Sequence, residues 1–336
     1  MKKVALYIFL TAFLFGTMEV ALKLAGSGMD SFQLTFLRFM IGGVLLLPFA
    51  ISEISQNQTK FVFKDILYLF YLGVICIPIS MLFFQLGVMR SNASTASVIM
   101  CINPLFTMIF AHFISDEKFN KKKAIVLFWG ILGLVFMVSP WKLQEGNTPI
   151  GILFMILAAA SFGLYTVLGK NSIQKIGIMA QTSISFILGS FALLVIMLVL
   201  DKPVFVGVKE NYILVAYISI FVTGLGYYFY FSAIKLSDAT TGSIAFFIKP
   251  AISPIIAVII LGDKLLWNTY LGIGFILIAS YLNLKSKRKQ KELTKIDIKD
   301  IKEIEYIKES KYIKESKDIK ESKDCIEGKS SEKKRA

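Results

Sequence analysis

Three ionisable side chains stand where charge is expensive: Glu19, Arg38 and Lys249 each interrupt an apolar run of the chain. Charged groups within segments of membrane-spanning length are kept where they face a cavity, a partner or a solute. An ammonium at the depth of Lys249 can attract an anionic group, exchange a proton, form a structural pair or extend its stem towards a polar surface. Glu19 and Arg38 sit at similar depths from the same end of two successive runs, so an ion pair between them is feasible, as an external gate or a structural contact; service of Arg38 to helix assembly alone is the other reading. Glu19 also has Lys23 one helical turn away.

Lys249 belongs to a repeated phrase. SNASTASVIMCINP (Ser91 to Pro104) returns 146 residues later as SDATTGSIAFFIKP (Ser237 to Pro250), which puts a polar residue followed by proline, Asn103-Pro104 and Lys249-Pro250, at the same place in each copy. Proline has no N–H to give the preceding turn and its ring kinks the helix, so the carbonyls of Met100 and Phe246 need other partners, such as a polar cavity or a solute. Packing shape alone is the other reading of these prolines. Tyr227 and Tyr228, in the aromatic run Tyr227 to Phe231, and Tyr165 offer flat apolar faces with a hydroxyl, which suits the wall of a cavity for an amphipathic metabolite. His112 and the three cysteines, Cys76, Cys101 and Cys325, lack the clustering of a metal or disulfide site, and neither metal nor cofactor is expected.

The elements that must hold these residues are membrane helices. The chain is 55% hydrophobic and 18% charged, with the charges gathered into clusters. Between Val4 and Leu284, apolar runs long enough for a hydrocarbon layer of roughly 30 Å alternate with short polar joints. Ten spans are expected, at 4–22, 31–51, 66–86, 93–115, 124–139, 150–168, 178–200, 212–233, 240–261 and 268–284. No run alternates in polarity as a barrel strand does, so the fold class is all-α. The basic N-terminal run lacks a small-x-small cleavage site and is expected to be retained as the first span. With the N-terminus inside, sixteen basic residues fall in cytoplasmic segments and six outside, which places both termini in the cytoplasm.

The repeat extends well beyond its opening phrase. Phe15-Gly16, Lys23 and Gly42 recur as Phe162-Gly163, Lys170 and Gly189 at an offset of 147, and Tyr71, Phe83 and Glu117-Lys118 as Tyr217, Phe229 and Asp263-Lys264 at 146. Two blocks of five spans follow, at 1–144 and 145–284, and an odd number of crossings inverts the second relative to the first. Inverted repeats around a midplane site are a carrier architecture, in which the halves exchange conformations to give alternating access. Glycines such as Gly42-Gly43, Gly130, Gly133, Gly224, Gly226, Gly272 and Gly274 are expected to let helices approach closely. Residues 285–336 carry 18 basic and 12 acidic residues, with YIKESK repeated at Tyr306 and Tyr312 and varied as DIKESK at Asp318; a polar, disordered cytoplasmic tail is expected, loosely drawn to anionic lipid. Its interleaved charges and lack of a stacking platform argue against nucleic acid as a partner.

Two five-span halves, FG near the start of each, FLRF at 36–39, the Ala/Ser-rich entry with proline in the fourth and ninth spans, and Glu117 or Asp263 just after them are similar to the EamA-type branch of the drug/metabolite transporter superfamily. The resemblance covers about residues 4–284. It implies a ten-helix secondary carrier of the bacterial cytoplasmic membrane, generally associated with export of amino acids, other metabolites or drugs. Arg38 fits the family's second-span arginine; its counterpart in the second half is Ser185, and Lys249 stands where an uncharged residue is more usual. The expected function is therefore carriage of a small solute, with a proton as a candidate coupling ion, in a monomer or homodimer. A non-transporting membrane sensor or scaffold is the competing class. A channel, an ATP-driven pump and an enzyme are disfavoured by the sparse polarity, the lack of a nucleotide motif and the lack of clustered catalytic groups.

Overall fold

The structure, a computed structural model, describes residues 2–58, 61–114, 121–138, 145–237, 242, 245–279 and 281–282. The tail after 284, Asp116, Glu117, Thr241, Ser243 and the side chain of Pro250 lie outside the described residues. Residues up to Asn283 form one compact unit.

Among the described residues there are helices and no strands. Seven helices are long and apolar enough to cross a membrane: Lys3–Gly26, Ser31–Gln56, Phe63–Met89, Ala93–Ile114, Pro149–Lys170, Ile178–Val199 and Tyr212–Lys235. These correspond to the expected spans one to four and six to eight. Helices also occupy the other three expected positions, Lys121–Val138 at the fifth, Ala245–Leu261 at the ninth and Trp267–Ala279 at the tenth. The side chains turned outward are apolar, with Phe49, Val195 and Ile259 each more than 60% exposed. The polar side chains Gln33, Thr35, Ser80, Asn103, Thr182 and Ser183 are buried instead, the polarity of a multi-pass membrane protein.

The packing has a two-fold logic. The first span lies against the eighth and ninth helices, and the sixth against the third and fourth; the second lies against the eighth, and the seventh against the third. Exchanging first with sixth, second with seventh, third with eighth and fourth with ninth converts each of these contacts into another. The contacts that map onto themselves, second with seventh and fourth with ninth, are also made. Phe39 and Phe186, related by the offset of 147, meet edge to face with centroids 4.8 Å apart in the first of these. The fifth and tenth helices also touch, since a Cβ on Gly133 would lie 2.9 Å from the Gly272 carbonyl oxygen.

Among the described residues, four spans depart from a regular α-helix. The first breaks at Thr17, between Lys2–Gly16 and Met18–Gly26. The fourth breaks at Cys101-Ile102, between Ala93–Met100 and Asn103–Ile114, because Pro104 cannot donate to the turn before it. The third and eighth carry wide π-helical turns at Ile75–Met81 and Ile218–Leu225, the former around Pro78. The ninth helix runs unbroken through Pro250 and Pro254, so the expected interruption occurs in only one copy of the repeat.

Glycine sets the closest approach. A Cβ at Gly189 would fall 2.4 Å from the Gly73 carbonyl oxygen, and one at Gly73 only 2.3 Å from that of Ser185, so the third and seventh spans touch backbone to backbone. Gly274, expected among the packing glycines, has nothing within 4 Å of its Cβ position.

Polar clips join the span ends. At one end the Glu53 carboxylate accepts from the N–H groups of Ile178, Met179 and Ala180 at 3.1, 2.7 and 3.3 Å, capping the seventh span, and pairs with Lys235 at 3.4 Å. Asp65 pairs with Lys175 at 2.5 Å. At the other end Asp263 accepts from the backbone and hydroxyl of Ser94 at 3.0 and 2.9 Å, and Lys23 donates to the Ser91 carbonyl at 2.6 Å.

Candidate functional site

Glu19 lies in the first turn beyond the break at Thr17, where the positive end of the short helix Met18–Gly26 favours a carboxylate. The ninth helix crosses at this point and brings Lys249 against it. The Lys249 ammonium donates to the Glu19 carboxylate, and Ser253, one turn further on, donates to the same carboxylate at 3.4 Å. Glu19 and Lys249 are fully buried.

This arrangement corrects one expectation. The carboxylate of Glu19 is engaged by Lys249, 230 residues away, and not by Arg38 or Lys23. Arg38 is close but turned aside. Its guanidinium stacks on Phe39 at 4.5 Å and Phe84 at 6.0 Å, and NH1 makes a weak 3.7 Å contact to the sulfur of Met18. Lys249 approaches the same Phe84 ring at 5.8 Å, so one aromatic side chain lies beside both buried cations.

The tyrosines divide. Tyr227 is buried at the centre, with its hydroxyl 3.4 Å from the Met81 sulfur and its ring edge-on to Phe186 at 4.9 Å and Phe15 at 5.3 Å. Tyr165 is buried nearby and accepts from Gln181 at 3.0 Å. Tyr228 is on another face of the eighth span, half-buried and edge-on to Tyr7 at 6.3 Å, because adjacent helical residues point about 100° apart. It does not join the central group.

Asn103 is committed to the scaffold. Its amide donates to the Ala159 carbonyl at 2.9 Å, bridging the interrupted fourth span to the sixth, while Thr107 donates to the Asn103 carbonyl at 3.1 Å. Pro104 is buried beside it. Under the repeat, Lys249 and Ser253 correspond to Asn103 and Thr107, Glu19 to Thr166, Arg38 to Ser185 and Phe84 to Tyr230. Thr166 and Tyr230 form their own hydroxyl contact at 3.3 Å. The two sites related by the repeat are thus unequal: one holds Glu19, Lys249 and Arg38, and the other holds only neutral polar groups.

Sequence reasoning missed Ser253, Phe84, Met81 and Gln181 as parts of this centre. Ser253 had a signal, since it is one turn from Lys249 and the repeat partner of Thr107. Phe84, Met81 and Gln181 had none, because their relevance comes from contacts across the two halves.

The EamA-like transporter family matches the chain twice, over residues 2–139 and 149–285. An uncharacterized transporter of Clostridium kluyveri is 39% identical over 303 residues, covering 88% of this chain and 97% of that protein. An S-adenosylmethionine uptake transporter of Rickettsia prowazekii is 30% identical over 157 residues, 47% of this chain and 51% of that protein. A solved crystal structure shares the fold with a TM-score of 0.64 at 16% identity, covering 86% of this chain and 99% of that one.

Proposed function

Because the chain belongs to the EamA-like transporter family, we propose that it is a secondary carrier that moves a small metabolite or drug across the bacterial cytoplasmic membrane by alternating access. Ten crossings form two inverted five-helix repeats, 1–144 and 145–284, with both termini in the cytoplasm. What supports the inversion is the two-fold pattern of helix packing together with the odd number of helices in each half. The basic-residue bias supports the orientation.

One observation carries the reading: Glu19, Arg38 and Lys249 are buried together at the meeting of the first, second, third and ninth helices, where a purely structural core would have no use for three charges. Alternating access moves the halves relative to each other, and Glu19 and Lys249 come from opposite halves. Their ion pair therefore bridges the two halves, and a proton on Glu19 can release it as they part. Tyr227, Phe15 and Phe186 supply the apolar wall, with Tyr165 and Gln181 at its polar margin. The resemblance implies export.

The test is purified protein in proteoliposomes, assayed for exchange of a broad panel of amino acids, other metabolites and drugs with and without a proton gradient. Saturable flux that is lost in folded protein carrying both Glu19→Gln and Lys249→Met, the double variant that strands neither charge, is the expected result. A folded wild-type protein that exchanges no member of the panel would favour the sensor or scaffold class.

A further inference from the structure

Arg38 carries a charge that the described part of the protein does not balance. Four charged side chains are buried in it: Glu19, Arg38, Asp65 and Lys249. Asp65 is met by Lys175 and Glu19 by Lys249. Arg38 meets no carboxylate, and its Nε and NH2 atoms have no hydrogen-bond partner among the described residues. Stacking on Phe39 and Phe84 returns only a small part of what it costs to withdraw a unit charge from water. The contacts present fall short of that cost, and the fork of unused N–H groups is the shape that a carboxylate satisfies with two parallel hydrogen bonds.

We propose that Arg38 is the anchor for the carboxylate of an organic monoanion with an apolar or aromatic body, the solute class this carrier takes. The proposal rests on the transport reading above. Glu19, Lys249 and Arg38 together sum to one positive charge, so a single negative charge neutralises the site without opening the Glu19–Lys249 pair. A doubly charged, strongly hydrated phosphate matches neither that sum nor the ring-lined surroundings. Phe39 leads from the guanidinium directly to the aromatic group, with ring centroids 4.8 Å from Phe186 and 5.8 Å from Tyr227, so the surroundings of the guanidinium match a solute with an apolar or aromatic body.

Binding is measured on detergent-purified full-length protein by thermal shift and titration calorimetry, independently of flux. The probes are phenylacetate, 4-methylpentanoate and indole-3-propionate, each beside its neutral amide, with phenylalanine, phenethylammonium and inorganic phosphate for comparison. At least one carboxylate should bind roughly tenfold or more tightly than its amide, and Arg38→Gln should abolish that preference. Arg38→Lys, which keeps the charge but not the fork, should bind the same carboxylate more weakly than wild type while melting near it, so the conclusion survives if Arg38→Gln does not fold. Equal binding of acid and amide, no carboxylate binding at millimolar concentration, phosphate binding as tightly as the best carboxylate, or a preference that persists without Arg38 overturns the proposal. Carboxylate binding without flux in liposomes overturns the transport reading and leaves the anion site standing; saturable flux of a neutral or cationic solute that ignores Arg38 does the reverse.

Discussion

The Tyr227 hydroxyl contacts the sulfur of Met81 at 3.4 Å, and these two residues occupy the same place in the two copies of the repeat, 146 residues apart. A contact between equivalent positions lies on the line about which the halves correspond. Movement of one half against the other must therefore alter what surrounds Tyr227. A hydroxyl–sulfur bond is weak, so Tyr227→Phe should change stability by less than about 1 kcal/mol. It should nonetheless lower flux, because it removes a polar group from the aromatic wall. Melting in detergent and solute exchange on the same preparation separate these effects; a large fall in melting temperature with unchanged flux would make the hydroxyl structural.

Breaking the Glu19–Lys249 pair from one side leaves a buried charge exposed to apolar surroundings. Glu19→Gln and Lys249→Met alone should each destabilise the protein, by about 3–5 kcal/mol where no solvent enters. The double variant should recover much of that loss while remaining inactive in transport. A double-mutant cycle of melting temperatures checks this, and strictly additive losses would show that the pair is not coupled.

The backbone contact between the third and seventh spans should tolerate no added carbon. Gly189→Ala pushes a methyl group towards the Gly73 carbonyl oxygen, 2.4 Å from the Cβ position, and should cost about 1–3 kcal/mol. Gly274→Ala, with open space around it, should melt like wild type or slightly higher. The difference between these two variants is the measurement, since both make the same chemical change in an apolar helix.

Glu53 holds the start of the seventh span through three N–H groups. Glu53→Gln keeps the shape but gives up the charge, and should weaken the cap by about 1–2 kcal/mol. Faster hydrogen exchange at Ile178, Met179 and Ala180, with exchange at Ser94 unchanged, is the expected pattern. Equal protection in both proteins would mean that the charge is irrelevant to the cap.

Seven of the ten span positions, the family and the doubling were legible in the sequence because each rests on local composition or on a repeated phrase. The break in the fourth span was legible too, since Pro104 acts on its own turn. The uninterrupted ninth helix was not, because tertiary packing decides whether a proline interrupts a membrane helix. Glu19 and Arg38 were picked out as buried charges, yet the sequence paired them on depth alone; depth does not fix azimuth, and the partner of Glu19 arrives on a helix 230 residues later. Tyr228 failed for the related reason that adjacent residues in a helix share a depth and face different neighbours. Met81 and Phe84 are ordinary apolar residues whose importance comes only from what crosses them.

The meeting of Gly73 and Gly189 has a mechanical side. Interlocked side chains resist sliding in steps, since each knob must climb out of its hole before the next position is reached. Where two helices touch by bare backbone there is nothing to unlatch, and a small shift along the seam trades one smooth van der Waals contact for the next. These two spans belong to opposite copies of the repeat, so if the halves rock as proposed, the seam between Gly73 and Gly189 is where they would slide with least friction.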